Sequence, residues 1–430
     1  MINRRSFLKN SALIFPVFGG MYGCSTQYKK NNISEKKKIG SVVIVGGGFS
    51  GATLAKYLSI WGNGAVKVTL IEKNKFFYSC PMSNLVLGGV KRFNYIKHDY
   101  GMLVKRGIRV LNDEVVFIDS EKKIVTTRTG QKFHSDKIVV SPGIDFRHNE
   151  IEGLTPNVQK RVLHGWTAGA QTMALRAQLM SMDDGDVFII SIPASPYRCP
   201  PGPYERACQV ARYFKQNKPR SKVVILDANP EIQSKKTLFL NAFDVLYKNI
   251  IEYIPNTEIS AVSLKDKMLI SQFGDKIKGD VLNLISPNQS GAIAKKAGLV
   301  TDNDRWCRVN WKNFESVNYP DIHVLGDSTL SASKMPKSAH MANQHAKIAA
   351  LAIINQFNGN ELTPYKMINS CYSFVDQNKA VHVAQVFVYD NIKKIVIPLQ
   401  DAGGSSKNPS VKEGVHAFAW ADNIWKDTLN

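Results

Sequence analysis

The stretch Ser41-Val42-Val43-Ile44-Val45-Gly46-Gly47-Gly48-Phe49-Ser50-Gly51 decides the fold. Val42 to Val45 is an unbroken apolar run, the composition of a strand covered on both faces of a parallel sheet. Gly46, Gly48 and Gly51 follow at G-x-G-x-x-G spacing, and Ala52 to Leu58 continues as a helix. Glycines there permit a tight turn, and a helix N-terminus offers free N–H groups and a positive dipole to a pyrophosphate. Glu72 closes the next apolar strand, Val66 to Ile71, at the roughly 20-residue interval where a carboxylate accepts from ribose hydroxyls. Strand, turn, helix and acid together predict a dinucleotide site.

Much later, Ile322-His323-Val324-Leu325-Gly326-Asp327 reads as a second buried strand ending in Gly-Asp. That pairing, with Gly326 and Asp327 at its end, points to FAD as the dinucleotide.

The chain has 430 residues, 44% hydrophobic and 21% charged, a globular composition with room for two or three domains. No apolar run reaches the roughly 18 residues that span a bilayer. The net charge of +21 comes from scattered lysines without interleaved aromatics, so it reads as a solvated surface rather than a nucleic-acid face. Asn3-Arg4-Arg5-Ser6-Phe7-Leu8-Lys9, followed by the apolar Ala12 to Gly23, reads as a twin-arginine (Tat) export leader. A protein that folds around FAD before export needs such a route, which places it in the periplasm. Cys24 is a candidate lipid anchor, although Tyr22 is bulky for that signal.

Pattern divides the remainder. Residues 1–37 are leader and linker. Residues 38–152 and 285–360 form the FAD-binding domain, and 153–284 a second dinucleotide-binding-like domain. Residues 361–430 form a small C-terminal unit. In the second domain the strand ending at Ile192 runs into Pro193-Ala194-Ser195-Pro196-Tyr197-Arg198-Cys199-Pro200-Pro201-Gly202-Pro203-Tyr204-Glu205. Prolines donate no N–H and block close backbone approach, so this domain should not bind NAD(P)H.

Six cysteines are present: Cys24, Cys80, Cys199, Cys208, Cys307 and Cys371. None forms C-x-x-C, which excludes zinc-ribbon, thioredoxin-type and haem-attachment readings; no metal site is expected. Cys208 and Cys371 read as small buried hydrophobes.

Tyr78-Ser79-Cys80-Pro81-Met82-Ser83-Asn84, Arg198-Cys199-Pro200-Pro201-Gly202-Pro203-Tyr204-Glu205, Trp306-Cys307 and Met335-Pro336-Lys337-Ser338 resemble the flavin subunit of flavocytochrome c sulfide dehydrogenase. The similarity runs from about residue 40 to the end, taking in Cys371-Tyr372-Ser373 and Trp420 to Trp425. It implies an α/β protein with two Rossmann-like domains of the disulfide-reductase type and a small C-terminal α+β domain. It further implies that Cys80 holds FAD covalently, that Cys199 and Cys307 form a redox-active disulfide, and that Glu205 lies near them as a proton acceptor. By the same resemblance Gly326 and Asp327 would bind the ribityl chain or phosphate, and Met335 to Ser338, with Lys337 and Ser338 among them, would approach the flavin's pyrimidine end through backbone N–H groups; Arg198 and Lys337 are candidate counter-charges. The implied reaction oxidises sulfide to sulfane sulfur or polysulfide, with electrons leaving to a c-type cytochrome subunit. Sulfide:quinone oxidoreductase, or a non-catalytic flavoprotein accompanying sulfur-oxidising machinery, are the alternatives. Tyr372, Phe374, Trp420 and Trp425 serve either a docking surface or a core.

Overall fold

The computed structural model describes residues 38–430 apart from 302 and 363. The twin-arginine leader, Cys24 and the linker lie outside the described residues.

The strand Gly40–Val45 sits in a seven-stranded sheet. It pairs in parallel with Val66–Glu72 on one side and Lys137–Val140 on the other. Arg109–Asn112 extends one edge and Ile322–Val324 the other, both in parallel. Val42 to Val45 and Ile138 to Val140 are buried, as unbroken apolar strands must be when helices cover a sheet. The helices Phe49–Trp61 and Ala339–Phe357 pack on one another. Because the chain leaves Gly40–Val45 toward one neighbour and returns beside the other, a crevice opens at the strand's carboxyl end, where α/β sheets bind ligands. Gly46 to Gly51 lie there.

A second, four-stranded parallel sheet has the order Ile251–Ile254, Lys222–Asp227, Val187–Ile192, Val281–Leu284. The helix Gly202–Asn217 packs on it, burying Tyr204, Ala207, Val210, Ala211 and Phe214. Finally, Lys366–Phe374, Ala380–Asp390 and Ile395–Ser405 form an antiparallel sheet, followed by the helix Val411–Leu429. This is an α/β fold with a largely parallel seven-stranded sheet, a parallel four-stranded sheet and a C-terminal α+β unit.

The C-terminal helix is fastened to the first helix of the chain. Lys56 donates to the carbonyls of Lys426 (3.0 Å) and Asp427 (2.9 Å), Tyr57 donates to the Asp427 carboxylate (2.5 Å), and Thr53 donates to Thr428 (3.2 Å). Trp425 Nε1 donates to Ser79 Oγ at 2.8 Å, beside Cys80. Phe374 and Trp425 are buried, Trp425 against His98 and Tyr95, and Phe374 against Phe418. Of the four candidate docking aromatics, these two are core.

Candidate active site

One cavity of about 800 Å³ runs from the glycine turn to the C-terminal sheet. Gly46 has φ +97°, and a Cβ there would lie 2.4 Å from the Ser141 carbonyl. A Cβ on Gly51 would sit 1.8 Å from the Gly46 carbonyl, so only glycine lets helix and strand approach this closely. Gly48 differs: a Cβ there would meet nothing within 4 Å, because the residue faces the cavity. Gly48 also caps the helix Phe49–Trp61 without a side-chain hydrogen bond, which leaves first-turn donors for a ligand. Glu72 accepts from the Gly47 N–H at 2.6 Å and from Asn74 through its other oxygen, and Tyr100 donates to the Gly47 carbonyl at 3.0 Å.

Gly326, at φ +72°, packs over Ser50, and Asp327 lines the cavity beside it. Burial pushes the Asp327 carboxyl upward, against the pull of Arg198 and Lys337. Ser338 caps the helix Ala339–Phe357 by accepting from the Met341 N–H (3.1 Å) and donates to Asn369 (2.7 Å). A second helix N-terminus therefore faces the cavity. Lys337 takes a different position from Ser338. Its carbonyl accepts from the Cys199 N–H at 2.8 Å. Its ammonium is buried behind the wall, 3.6 Å from the Trp306 ring centre and donating to the carbonyls of Asp327 (2.9 Å) and Thr329 (2.5 Å). Burial lowers its pKa to about 7.

At the other end, Cys80, Cys199, Glu205 and Cys371 all line the same cavity. Cys199 has φ +57° at the turn into the helix Gly202–Asn217. Glu205, in that helix's first turn, accepts from Asn84 Nδ2 (2.8 Å) and from the Phe374 N–H (2.7 Å). Burial raises the Glu205 pKa despite these bonds. Burial also pushes the Cys199 thiol up, and the neighbouring Cys371 and Glu205 push it further.

Cys307 is not part of this group. It is fully buried, its N–H donates to Ser328 and its carbonyl accepts from Leu330. Its sulfur lies 3.4 Å from Ser290 Oγ, and burial raises its pKa to about 11. Locked in that backbone pairing, it is absent from the cavity wall, and the sulfur beside Cys199 is Cys371. The expected Cys199–Cys307 pairing therefore finds no support in the geometry, and the reading of Cys371 as a buried hydrophobe is corrected: it is half-exposed on the wall. Cys208 is buried, as expected.

Sequence reasoning also missed Asn84 and Arg206. Arg206 is buried at the cavity, donating to Asn84 Oδ1 (3.2 Å), Asn283 Oδ1 (2.8 Å) and the carbonyls of His164 (2.9 Å) and Gly165 (2.6 Å). Burial lowers its pKa to about 10, while Cys199, Glu205 and Cys80 favour its charge. His340, on the wall, is a satisfied side chain: its Nδ1 accepts from the Ser370 N–H at 2.9 Å. Tyr372 and Trp420 face the cavity as well.

Open space at Gly48, free donors at two helix ends and Glu72 on the glycine turn fit FAD. With a cysteine pair at one end, they define a flavoprotein oxidoreductase of the disulfide-reductase class. Three family models match in series. They are pyridine nucleotide-disulphide oxidoreductase over residues 40–190, the central part of the sulfide dehydrogenase [flavocytochrome c] flavoprotein chain over 172–286, and the flavin-binding part of flavocytochrome c sulphide dehydrogenase over 364–429. A sulfide dehydrogenase [flavocytochrome c] flavoprotein chain from Chlorobaculum thiosulfatiphilum is 51% identical over 45 residues, 10% of this chain and 92% of the relative. The mitochondrial sulfide:quinone oxidoreductase of Dictyostelium discoideum is 24% identical over 348 residues, covering 78% of this chain and 75% of the relative. Among solved structures, the sulfide:quinone oxidoreductase of Aquifex aeolicus superposes with a TM-score of 0.72 at 20% identity, covering 90% of this chain and 91% of that one. A chain of the covalent putidaredoxin reductase–putidaredoxin complex gives 0.66 at 15% identity, covering 90% and 93%. The chain belongs to the flavocytochrome c sulfide dehydrogenase flavoprotein family and is a sulfide-oxidising, FAD-binding oxidoreductase.

Proposed function

We propose that this chain oxidises sulfide to sulfane sulfur or polysulfide through a Cys199–Cys371 redox couple and passes the electrons to a c-type cytochrome subunit. The observation that carries this reading is the gathering of Cys199, Cys371 and Glu205 on one cavity wall with Cys80.

Hydrosulfide is a soft nucleophile and a disulfide a soft electrophile, so attack on the oxidised pair leaves a persulfide on one cysteine and a thiolate on the other. Glu205, its pKa raised by burial, accepts the proton released as sulfide loads. Asn84 fixes that carboxylate, because its Oδ1 is committed to Arg206 and its amide must donate to Glu205. Arg206 supplies a fixed positive charge toward Cys80, Cys199 and Glu205. Gly48, Glu72, Asp327 and Ser338 would hold FAD, with Cys80 as its covalent tether. When bound, FAD supplies a two-electron acceptor that can return electrons singly, as a haem acceptor requires.

The nicotinamide route is disfavoured by more than the prolines. Asp227 ends the strand where a dinucleotide's ribose would be met, yet it accepts from Tyr204 (2.6 Å), Tyr253 (3.1 Å) and Asn229 (2.7 Å). We place the working protein in the periplasm, on the strength of Arg4-Arg5 and the apolar run after them.

The sulfide:quinone alternative draws on the named relatives. Among the described residues no helix is long and apolar enough to cross a membrane. Co-expression with a c-type cytochrome subunit decides between them. The expected result is a co-purifying, haem-staining subunit whose haem is reduced on adding sulfide. A chain that purifies alone and passes electrons from sulfide to a ubiquinone analogue at full rate establishes the quinone reading. A chain with flavin but no response to sulfide establishes the non-catalytic one.

A further inference from the structure

Lys235 lies on no motif that pointed to the site, yet its ammonium reaches Cys371, one of the two proposed redox sulfurs. Nζ is 3.7 Å from Cys371 Sγ and donates to Ser373 Oγ at 2.9 Å. Cys371 and Ser373 stand two apart on the strand Lys366–Phe374, so both present the same face. Lys235 reaches them from a loop of the second sheet, held at φ 59° and ψ 37°, a left-handed conformation unusual for a residue with a side chain. Its neighbour Lys236 points outward and pairs with Glu231 at 2.6 Å. The two lysines thus face opposite ways, and only Lys235 turns toward sulfur.

We propose that Lys235 is a catalytic residue of the sulfur site, its ammonium being the counterion that keeps the Cys371 sulfur anionic once the disulfide opens; this rests on the Cys199–Cys371 reading. Hydrosulfide attacks one sulfur of the Cys199–Cys371 bond. A new S–S bond forms, the old one breaks, and its electron pair leaves on the other cysteine as a thiolate. Cys371 emerges either as that thiolate or as the persulfide, which turns anionic when Glu205 takes the proton carried in by hydrosulfide, so either form faces Lys235 as an anion. No further oxidant enters this step.

The other charged groups around the pair do not replace it. Cys199 and Glu205, from the helix Gly202–Asn217 and the loop before it, oppose a second negative charge. His340, from the helix Ala339–Phe357, accepts the Ser370 N–H and is held neutral by burial. Arg198 is turned to the Trp166 carbonyl, Arg206 faces Cys199 and Cys80 with its donors spent on Asn84, Asn283 and the carbonyls of His164 and Gly165, and His382 on the adjacent strand is engaged by Glu413. Lys235 also favours the charged forms of Cys199 and Glu205.

The test is pulse alkylation of the flavin-loaded, dithiothreitol-reduced protein with iodoacetamide between about pH 6 and about pH 9, with Cys371 quantified by peptide mass spectrometry. Lys235→Met should label Cys371 roughly tenfold more slowly near neutrality, and Lys235→Arg should restore the wild-type rate. Buried Cys208 reports folding; if Lys235→Met exposes it, Lys235→Gln takes its place. A wild-type Cys371 profile in the folded neutral variant overturns the proposal. Peptide mapping of the oxidised protein without reductant is read separately. Cys371 found free there would sink the disulfide couple, while the alkylation profile still judges Lys235.

Discussion

The Glu205 carboxylate accepts the backbone N–H of Phe374 at 2.7 Å, joining the helix that follows Cys199 to the strand that carries Cys371. One side chain thereby sets the spacing of the two elements that bear the proposed redox sulfurs. Its other oxygen takes Asn84, from the segment that begins at Cys80.

That relationship separates the cysteines by experiment. Cys199→Ser and Cys371→Ser should each cut the rate of sulfide-driven flavin bleaching at least a hundredfold while keeping bound FAD. Cys307→Ser, away from the cavity, should stay within a few-fold of wild type. Anaerobic stopped-flow absorbance measures all three, and the reverse ranking of Cys307 and Cys371 would restore the pairing first expected from the sequence.

Cys80 should carry the flavin. Acid-precipitated wild-type protein should remain yellow, and Cys80→Ala should release its FAD to the supernatant. Wild-type protein that loses all its colour would leave Cys80 as a wall residue only.

The glycine turn predicts two different failures. Gly51→Ala drives a methyl group into the Gly46 carbonyl and should cost about 3 kcal/mol or more, seen as a lowered urea midpoint. Gly48→Ala meets no protein atom, so it should fold with near wild-type stability yet bind FAD much more weakly. Equal flavin content in Gly48→Ala and wild type would remove Gly48 from the cofactor site.

Acid should unfold this protein through its buried histidines. Burial lowers His345 to about 3 and His323 to about 4, against about 6.5 unfolded. Such groups contribute stability that is complete above the unfolded value and is lost as pH falls toward the folded one. Each should lose about 1.4 kcal/mol per pH unit across that window. Both ring nitrogens of His345 lack partners, and the ring packs 4.6 Å from Phe314. His345→Phe should therefore flatten the fall of the urea midpoint between about pH 6 and about pH 4; an unchanged slope would count against it.

NADH and NADPH should leave the oxidised flavin spectrum unaltered under conditions where sulfide bleaches it. Rapid bleaching by either would contradict the reading of the loop at Pro196 to Pro203 and of the occupied Asp227.

How far the sequence reached depended on distance along the chain. Val42 to Val45, the glycine spacing and Glu72 are local signals with a strict geometric purpose, so both the turn and the parallel sheet were readable. Cys371 was not, because what matters about it is the neighbour folding brings to it. A sign was available: Asn369, Cys371 and Ser373 alternate on one face of a strand whose first inward residue is the apolar Met367. Polar residues continuing an inward face mark a site rather than a core. Cys307 misled for the opposite reason, since Trp306-Cys307 resembles a site motif while its backbone pairing with Thr329 keeps the sulfur in packing. Lys235 gave no local sign, because its role depends on a contact across 136 positions.

The contacts of Lys56, Tyr57 and Ser79 with Lys426, Asp427 and Trp425 also have a temporal meaning. On the ribosome, the glycine turn and the Cys80 segment emerge long before the helix Val411–Leu429 that fastens them. Until that helix docks, Ser79 lacks its indole partner and the wall bearing Cys371 is unfinished. Assembly of the flavin cavity should therefore wait on the docking of the helix Val411–Leu429 against the helix Phe49–Trp61.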